Sequence, residues 1–292
     1  MTIKNTFLLS AFFALPIFGF SQSARYDSLV WSDEFNYNIG GGVDPTRWFH
    51  QTQLPNGSSW YNGEIQHYTN QDTNSNVKNG KLFLRAVKEN YTNQGVTKNY
   101  TSARLNSKFA FQYGRVEVRA KIPTGAGTWP AIWMLGANID TAGWPACGEI
   151  DIMEMGQRQA FRDLHDEHNG GNGLDNSTVN QVVGANAIFY ADEALVPDNP
   201  TGAASISWDP DDDYCRPYYN YDNLTDRFLK YRLYWNPDSI IFSVIDSEIE
   251  YFLFADVFGV DSVSDEFNSP FYFVSNLAIG GNFTDAHSLG DP

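Results

Sequence analysis

Residues 115–122 alternate charged and apolar side chains without a break. Successive side chains of a β-strand point to opposite faces of a sheet, so this pattern predicts a strand with one face on a core and one in water. A looser alternation over residues 81–87 predicts another strand. The Asn79-Gly80 pair just before it is a strong signal for a hairpin turn. The local signals therefore favour antiparallel sheet.

Aromatic and β-branched runs cover residues 228–235 and 239–252, and the turn Asn236-Pro237-Asp238 separates them. Helical periodicity is almost absent, and one short helical turn is predicted at residues 253–260. Residues 157–176 are rich in Gly, Asn and Asp and predict a surface loop. Many short strands with frequent turns predict an all-β chain folded as an antiparallel two-sheet sandwich.

The N-terminal residues 1–22 have the pattern of a secretory signal peptide, with Lys4 before an apolar run and small residues after it. The apolar run is shorter than the roughly 20 residues that span a bilayer. No later segment is long and apolar enough to span one. We therefore expect a secreted protein, extracellular or periplasmic, in which residues 23–292 form a single domain without internal repeats or linkers.

Charge and cysteine content narrow the possible partners. The net charge is -16, which argues against a nucleic-acid partner because phosphate binding needs clustered Lys and Arg. The two cysteines, Cys147 and Cys215, form one disulfide or remain two free thiols, and the sequence leaves both possibilities open. Two cysteines are too few for a Cys-rich zinc site.

Three acids lie close together in the segment that begins at Gly148 and continues to Met155. In a regular strand Glu149 and Asp151 would share one face, and Glu154 would point into the core. An unpaired carboxylate there would be costly. A β-bulge near Ile152 and Met153 inserts one residue and returns Glu154 to the face of the other two acids. The sequence therefore predicts a bulged strand with three carboxylates on one face.

Mutual repulsion and burial raise the pKa of at least one such carboxyl, so that one acid keeps its proton while another is ionised. Glycoside cleavage needs this division, with one proton donor and one carboxylate that attacks or activates water. We assign Glu149 as the nucleophile, Glu154 as the general acid/base, and Asp151 as a partner that tunes Glu149. The alternatives are a solvated acidic strand face and a calcium site formed by the same acids.

The segment that starts at Glu149 and ends at Glu154 resembles the signature of glycoside hydrolase family 16 in its bulged form, and its surroundings resemble the laminarinase-like branch. The resemblance extends from about residue 29 to the end of the chain. Met153, the extra residue, counts against the mixed-linkage lichenase branch. The other matching segments are residues 31–35, 62–66, 101–105, 113–117, 127–136, 143–148 and 276–282.

This resemblance implies a β-jelly-roll sandwich with a concave glycan-binding cleft and hydrolysis with retained anomeric configuration. It implies that three tryptophans stack on sugars and that two polar side chains bind glucose hydroxyls. Trp133 fits a core position equally well, and Arg104 fits an ordinary surface cation. The implied substrate-binding residues are Trp129, Trp133, Trp144, Arg104 and Asn62.

Two features of the family are incomplete in this sequence. A structural calcium ion is implied at Glu34 and the carbonyl of Gly80, but the final strand that supplies another ligand is missing before Pro292. No cofactor is implied for catalysis. Family members often carry a His on the strand after the acidic one. The candidate strand at residues 182–191 has none, and His165 and His168 lie in the preceding predicted loop.

The sequence thus predicts a monomeric retaining endo-β-1,3-glucanase that acts on a polysaccharide of the laminarin type. The same fold and mechanism acting on agarose, carrageenan or mixed-linkage β-glucan is the alternative. Sulfated galactans would favour a basic cleft, and Lys and Arg total 19 against 35 acids. A glucan-binding protein without catalysis is a remote alternative, because both glutamates are present.

Overall fold

The structure is a computed structural model that describes residues 26–37, 40–55, 57–123, 125–168, 176–190, 203–205, 217–257 and 265–285. Strands dominate these residues. The helices are α1 (Ile139–Ala142) and α2 (Gln159–His168), and short 3-10 turns lie at Tyr61–Gly63, Leu224–Asp226 and Glu266–Asn268. The strands, in chain order, are β1 (Trp48–His50), β2 (His67–Tyr68), β3 (Ser75–Val77), β4 (Leu82–Leu84), β5 (Val87–Asn93), β6 (Val96–Ser102), β7 (Arg104–Phe111), β8 (Gly114–Ala120), β9 (Thr128–Gly136), β10 (Glu149–Glu154), β11 (Val182–Tyr190), β12 (Ala203–Ser205), β13 (Tyr218–Tyr219), β14 (Leu229–Asn236), β15 (Ser239–Asp246), β16 (Ile249–Val257) and β17 (Phe271–Ile279).

Two large sheets form the body of the fold. The first, here called the cleft sheet, has the order β1-β7-β17-β9-β10-β11-β12, with β13 also paired to β11. The second, here called the outer sheet, has the order β16-β15-β14-β8. Every pairing within these two sheets is antiparallel. Smaller sheets, β2-β6-β5 and β3-β4, lie beside them. The predicted all-β, antiparallel β-jelly-roll sandwich is confirmed.

The core lies between the two sheets because their strands alternate in burial. Along β14, Leu229, Tyr231, Leu233 and Trp235 are buried and the residues between them are partly exposed. These side chains belong to the same apolar cluster as Met134, Ile150 and Ile152 of the cleft sheet. One face of the cleft sheet thus packs against the outer sheet, and its other face is available for a binding site.

The predicted Asn79-Gly80 hairpin turn is confirmed. Asn79 and Gly80 have φ angles of 53° and 67°, in the left-handed region that suits these residue types. Lys78 and Lys81 exchange backbone hydrogen bonds of 2.9 and 3.2 Å across the turn, which joins β3 to β4. The strand predicted at residues 115–122 is confirmed as β8 up to Ala120, where the observed strand ends.

The prediction of a loop over residues 157–176 is wrong for its first half, which forms α2. Its residues lack Gly and Pro and include good helix formers. The Gln159 side chain donates to Asp163 Oδ1 over 2.6 Å, one turn later, and the Arg162 guanidinium hydrogen-bonds Gln159 Oε1 at 2.5 Å. The Gly- and Asn-rich composition that favoured a loop begins after this helix. His165 and His168 therefore belong to α2.

The prediction of a helical turn at residues 253–260 is also wrong for residues 253–257, which belong to β16. Residues 258–260 lie outside the described residues. A two-residue turn at Ser247 and Glu248, with φ angles of 51° and 68°, ends β15 and begins β16. Strand β16 then pairs with β15 from Ile249 to Val257. The apolar run at residues 239–252 is consequently a hairpin, whose strands complete the outer sheet.

The structure describes only part of what the predictions on the signal segment, the cysteines and membrane spans refer to. The predicted signal segment, residues 1–22, and Cys215 lie outside the described residues. Cys147 is buried and is a free thiol. In the part of the chain that the structure describes, no helix has both the length and the apolar character needed to cross a bilayer.

Candidate active site

The predicted bulge lies in β10, in the middle of the cleft sheet. Between Asp151 and Glu154 the register slips by one residue against both neighbouring strands. The slip places Ile152 and Met153, at 1% and 0% exposure, together in the core between the sheets. Glu154 therefore shares the cleft face with Asp151 and Glu149. The predicted clustering of three carboxylates on one face is confirmed.

The start of β10 depends on Gly148. Its φ angle is 77°, and a Cβ at this position would come within 2.7 Å of the Phe271 ring in the core. Only glycine adopts this conformation readily while the backbone approaches the aromatic core so closely. The turn that precedes Glu149 is therefore fixed by close packing, and the direction of the first carboxylate is fixed with it.

Each of the two predicted catalytic glutamates accepts a hydrogen bond from a tryptophan. The Trp144 indole N–H donates to Glu149 Oε2 over 2.8 Å, and the Trp129 indole N–H donates to Glu154 Oε1 over 2.9 Å. Charge-assisted hydrogen bonds of this length are stronger than neutral ones. The indoles thus position the carboxylates and stabilise their ionised forms.

Burial dominates the protonation of the three acids. The pKa of Glu154 is raised to about 7, because burial and, to a smaller extent, the charge of Glu149 raise it while the Trp129 hydrogen bond lowers it. The pKa of Asp151 is raised well above its usual range, first by burial and then by the charges of Glu149 and Glu154. Burial and the two neighbouring charges therefore favour the protonated form of Asp151.

Glu149 has the surroundings of the ionised partner. Burial raises its pKa, but hydrogen bonds from Trp144 and Asp151 and the charge of Arg104 all lower it. Protonated Asp151 donates to Glu149, and this bond favours the charged form of Glu149. Burial is the largest effect and leaves the pKa of Glu149 raised overall, while the three opposing contacts favour its ionised form. Glu154 holds or releases a proton near neutral pH because its pKa is about 7.

Trp133 and Arg104 form the floor of the cleft on the β7 side. Trp133 is 8% exposed and lies directly opposite Asp151, so it is buried under the cleft rather than between the sheets. The Arg104 guanidinium lies 4.7 Å from the centre of the Trp133 ring, and its Nε donates to Gln51 Oε1 at 2.7 Å. Arg104 is itself buried, so the alternative of an ordinary surface cation is wrong.

The other predicted sugar-binding residues differ in exposure. Trp144 is 46% exposed. One face of the Trp129 ring is covered by Phe283, whose ring stacks on it at 4.7 Å, so a sugar has access only to the remainder. Asn62 is exposed in a left-handed conformation, with φ 60°, and its carbonyl accepts a hydrogen bond from Asn282. Of the predicted tryptophans, Trp144 offers the most accessible surface.

A buried hydrogen-bond chain under the cleft floor was not predicted from the sequence. The Trp133 indole N–H donates to Asn276 Oδ1 at 2.7 Å, and the Asn276 amide donates to the Tyr68 hydroxyl at 3.1 Å. Tyr68 and Gln66 both donate to Glu64 Oε2, at 3.0 and 2.7 Å. In the sequence, Glu64 and Gln66 stand out only as parts of the matching segment 62–66. The chain orients the Trp133 ring from below.

Strand β11 supplies the neighbours of β10 on its other side. Asn186 lies directly opposite Asp151 and is buried on the cleft face. Since His165 and His168 belong to α2, neither is on this strand. The position next to the acids is thus occupied by an amide, as the sequence indicates.

The two residues predicted to bind calcium are exposed. Glu34 follows Asp33, whose carboxylate accepts hydrogen bonds from the Phe35 backbone N–H and the Trp48 indole at 2.9 and 2.8 Å. Gly80 lies at the tip of the β3–β4 turn. Among the described residues, no group of three or more His, Cys, Asp or Glu side chains is placed to hold a metal ion.

Known proteins resemble this chain closely. A family model described as XgeA-like, catalytic GH16 domain, matches residues 47–188. The beta-glucanase of Rhodothermus marinus is 33% identical over 96% of this chain and 86% of that protein. The glucan endo-1,3-beta-glucosidase A1 of Niallia circulans is 31% identical over 88% of this chain, which spans only 34% of the length of that relative. A solved variant of LamA from Zobellia galactanivorans, in complex with laminaritriose and laminaritetraose, is 37% identical with a TM-score of 0.68, over 89% of this chain and 92% of the other.

The two indole hydrogen bonds predict a specific change in pH dependence. Trp129→Phe removes a donor that lowers the pKa of Glu154, so the loss of activity at high pH, near pH 7 in the unchanged protein, moves to higher pH. Trp144→Phe removes a donor that lowers the pKa of Glu149, so the loss at low pH also moves to higher pH. We expect kcat/KM at the optimum to fall roughly tenfold for each, as for a lost charged hydrogen bond.

The matched control is Trp48→Phe, because the Trp48 indole also donates to a carboxylate, Asp33, but outside the cleft. Its pH profile should match that of the unchanged protein. Profiles of kcat/KM measured from pH 4 to pH 10 check the prediction. The prediction would be contradicted if the loss of activity at high pH in the Trp129 variant, and at low pH in the Trp144 variant, occurred at the same pH as in the unchanged protein.

Proposed function

The chain belongs to glycoside hydrolase family 16, and on this basis we propose that it hydrolyses internal linkages of β-1,3-glucan with retention of anomeric configuration. The observation that carries the proposal is the bulge in β10, which places Glu149 and Glu154 on one cleft face beside an indole donor each. Retaining enzymes need such a pair of carboxyls, one to attack and one to transfer a proton.

In the first step Glu149 attacks the anomeric carbon and forms a covalent glycosyl ester. The bond from that carbon to the glycosidic oxygen breaks, and Glu154 transfers its proton to the departing oxygen. The raised pKa of Glu154, about 7, supports this role because the proton is retained near neutral pH but is readily released.

In the second step Glu154, now ionised, removes a proton from water as the water attacks the anomeric carbon. The ester bond to Glu149 breaks, the sugar leaves with its original configuration, and Glu154 has regained its proton. Asp151 stabilises the ionised Glu149 before attack and after release through the side-chain hydrogen bond that lowers the pKa of Glu149, and the raised pKa of Asp151 suits it to donate this bond.

The substrate class rests on the relatives and on charge. The Niallia circulans relative is named as a glucan endo-1,3-beta-glucosidase. The solved LamA variant is in complex with laminaritriose and laminaritetraose, which are β-1,3-glucan oligosaccharides. The excess of 35 acids over 19 basic residues disfavours a sulfated galactan as substrate. The bulge residue Met153 remains the observation against a mixed-linkage lichenase.

The site of action and the assembly are also proposals. The signal-peptide pattern of residues 1–22 supports secretion, either outside the cell or into the periplasm. We further propose that the protein acts as a monomer on a polysaccharide chain.

A comparison of substrates tests the proposed specificity. We expect the purified protein to release reducing ends from laminarin rapidly, with intermediate-sized oligosaccharides as early products, as internal cleavage requires. Release from agarose and carrageenan should be at background. Measurement of reducing ends and product sizes checks this. Clear release from agarose with none from laminarin would overturn the substrate assignment.

Substitution of the two glutamates tests the mechanism. Glu149→Gln and Glu154→Gln should each lower kcat on laminarin by at least about a thousandfold, because each removes a group that makes or breaks a bond. Glu117→Gln is a matched control on the outer sheet, where Glu117 pairs with Arg232. Circular dichroism should show that all three variants are folded. A glutamate variant that keeps most of its turnover would refute its assigned role.

We propose a structural calcium ion at Glu34 and Gly80 on the family resemblance alone. One carboxylate and one backbone carbonyl supply two oxygens, whereas calcium takes about six to eight, so further carbonyls or waters would have to complete the site. No catalytic step depends on this ion.

Removal of calcium tests this proposal without an activity assay. If the ion binds, treatment with EDTA should lower the thermal midpoint by several degrees, and added CaCl2 should restore it because ligands that bind only the folded state stabilise it. Glu34→Gln should abolish the response to CaCl2. A midpoint that is unchanged by EDTA would exclude a calcium ion that contributes to stability.

A further inference from the structure

Two neighbouring tyrosines lie on the cleft side of the sheet, outside the residues so far assigned to the site. Strand β13 pairs with β11 so that Tyr218 lies opposite Val183 and Tyr219 lies opposite Val182. Tyr218 and Val183 belong to the core between the sheets. Because strand side chains alternate, Tyr219 points to the opposite face, which is the face of the cleft.

The ring of Tyr221 is exposed although its backbone is well anchored. Its side chain is 78% exposed, and its ring centre lies 5.0 Å from that of Tyr219. Its carbonyl accepts a hydrogen bond from the Gln181 amide at 2.5 Å, and the backbone of Asn220 donates to the Gln181 carbonyl at 3.1 Å. The chain is therefore held firmly while it presents an aromatic surface to solvent.

The buried side chain of Leu224 anchors the segment on its far side. Leu224 is 0% exposed within the core, and its backbone N–H donates to the Asn180 carbonyl at 2.9 Å. Core burial of Tyr218 on one side and of Leu224 on the other explains how the segment is fixed. It does not explain why a large ring is placed in water between them.

The tyrosine pair lies across the cleft from Arg104 and Trp133. Those two residues belong to β7 and β9, whereas the tyrosines belong to β13 and the segment after it, and β10 with the catalytic glutamates lies between. Glu154 lies opposite Gly184 of β11, and Tyr219 lies opposite Val182 of the same strand. The two side chains are therefore offset by two residues along β11 and by two strands across the sheet. That offset is roughly 12 Å in regular sheet geometry, which is more than one sugar ring.

The geometry points to a distal glucan-binding subsite formed by Tyr219 and Tyr221, at the opposite end of the cleft from Arg104 and Trp133. Its ligand is a neutral β-glucan chain that continues from the catalytic residues, with the apolar faces of its sugar rings on the tyrosine rings. This inference rests on the proposed function and extends it to the way in which long chains are held.

The charges near the pair favour a neutral ligand. Asp222 and Asp226 follow the tyrosines in the same segment, and Arg227 is bound to Asp246 through a hydrogen bond of 2.9 Å from its Nε. An anionic polysaccharide would meet repulsion from these acids, and among the described residues 217–227 the guanidinium of Arg227 is already engaged by Asp246. Uncharged sugars, in contrast, bind aromatic rings through apolar contact and need no countercharge.

The test compares long and short substrates. Tyr221→Ala and Tyr219→Ala should lower kcat/KM on laminarin roughly threefold to tenfold, the effect of losing an aromatic contact, with the loss shrinking as β-1,3-glucan oligosaccharides become too short to reach the pair. Tyr221→Phe keeps the ring and should retain the activity on laminarin. Phe252→Ala is the matched control, since Phe252 is 62% exposed but lies in β16 of the outer sheet.

Binding provides a second measurement that does not depend on turnover. In the Glu149→Gln background, Tyr221→Ala should weaken retardation of the protein in gels that contain laminarin, and Phe252→Ala should not. A uniform loss at all chain lengths, or no loss at any length, would overturn the subsite. If the unchanged protein fails to cleave laminarin at all, the proposed function fails instead, so the two failures are distinguishable.

Discussion

The bulge in β10 is the constraint on which the rest of the site depends. A regular strand would place either Glu154 or Met153 on the wrong face, with a carboxylate in the core or an apolar side chain in the cleft. One inserted residue buries Ile152 and Met153 together and leaves three acids on the opposite face. Packing of the sandwich and assembly of the cleft are therefore satisfied by the same local irregularity. The hydrophobic core in effect sets the position of the acids.

The surroundings of the two glutamates explain how identical side chains acquire different roles. Both are partly buried and both accept an indole hydrogen bond, but Glu149 also receives a hydrogen bond from Asp151 and lies in the field of Arg104. Glu154 lacks these, and burial together with the charge of Glu149 raises its pKa to about 7. The pKa of Asp151 is raised well above its usual range, first by burial and then by the charges of the two other acids. Burial raises the pKa of all three, and the hydrogen bonds then distinguish them.

Much of this arrangement was predictable from the sequence because strand alternation and the cost of burying a charge act locally. The bulge, the Asn79-Gly80 turn and strand β8 were found in this way. Helix α2 was missed because the Gly- and Asn-rich residues after it dominated the composition, and β16 because the turn at Ser247 and Glu248 carries no Gly or Pro. The Phe283 stack on Trp129 and the chain from Trp133 to Glu64 join residues distant in sequence, so no local pattern reveals them.

The most direct test of the account is to trap the covalent intermediate. A β-1,3-glucan oligosaccharide that carries fluorine at C2 and a good leaving group at C1 forms the glycosyl ester but slows its hydrolysis. Mass spectrometry of peptides from the labelled protein then identifies the residue that attacks. We expect one label per chain, on Glu149, and none in the Glu149→Gln variant. A label on Glu154 or Asp151, in a protein that cleaves laminarin, would contradict it.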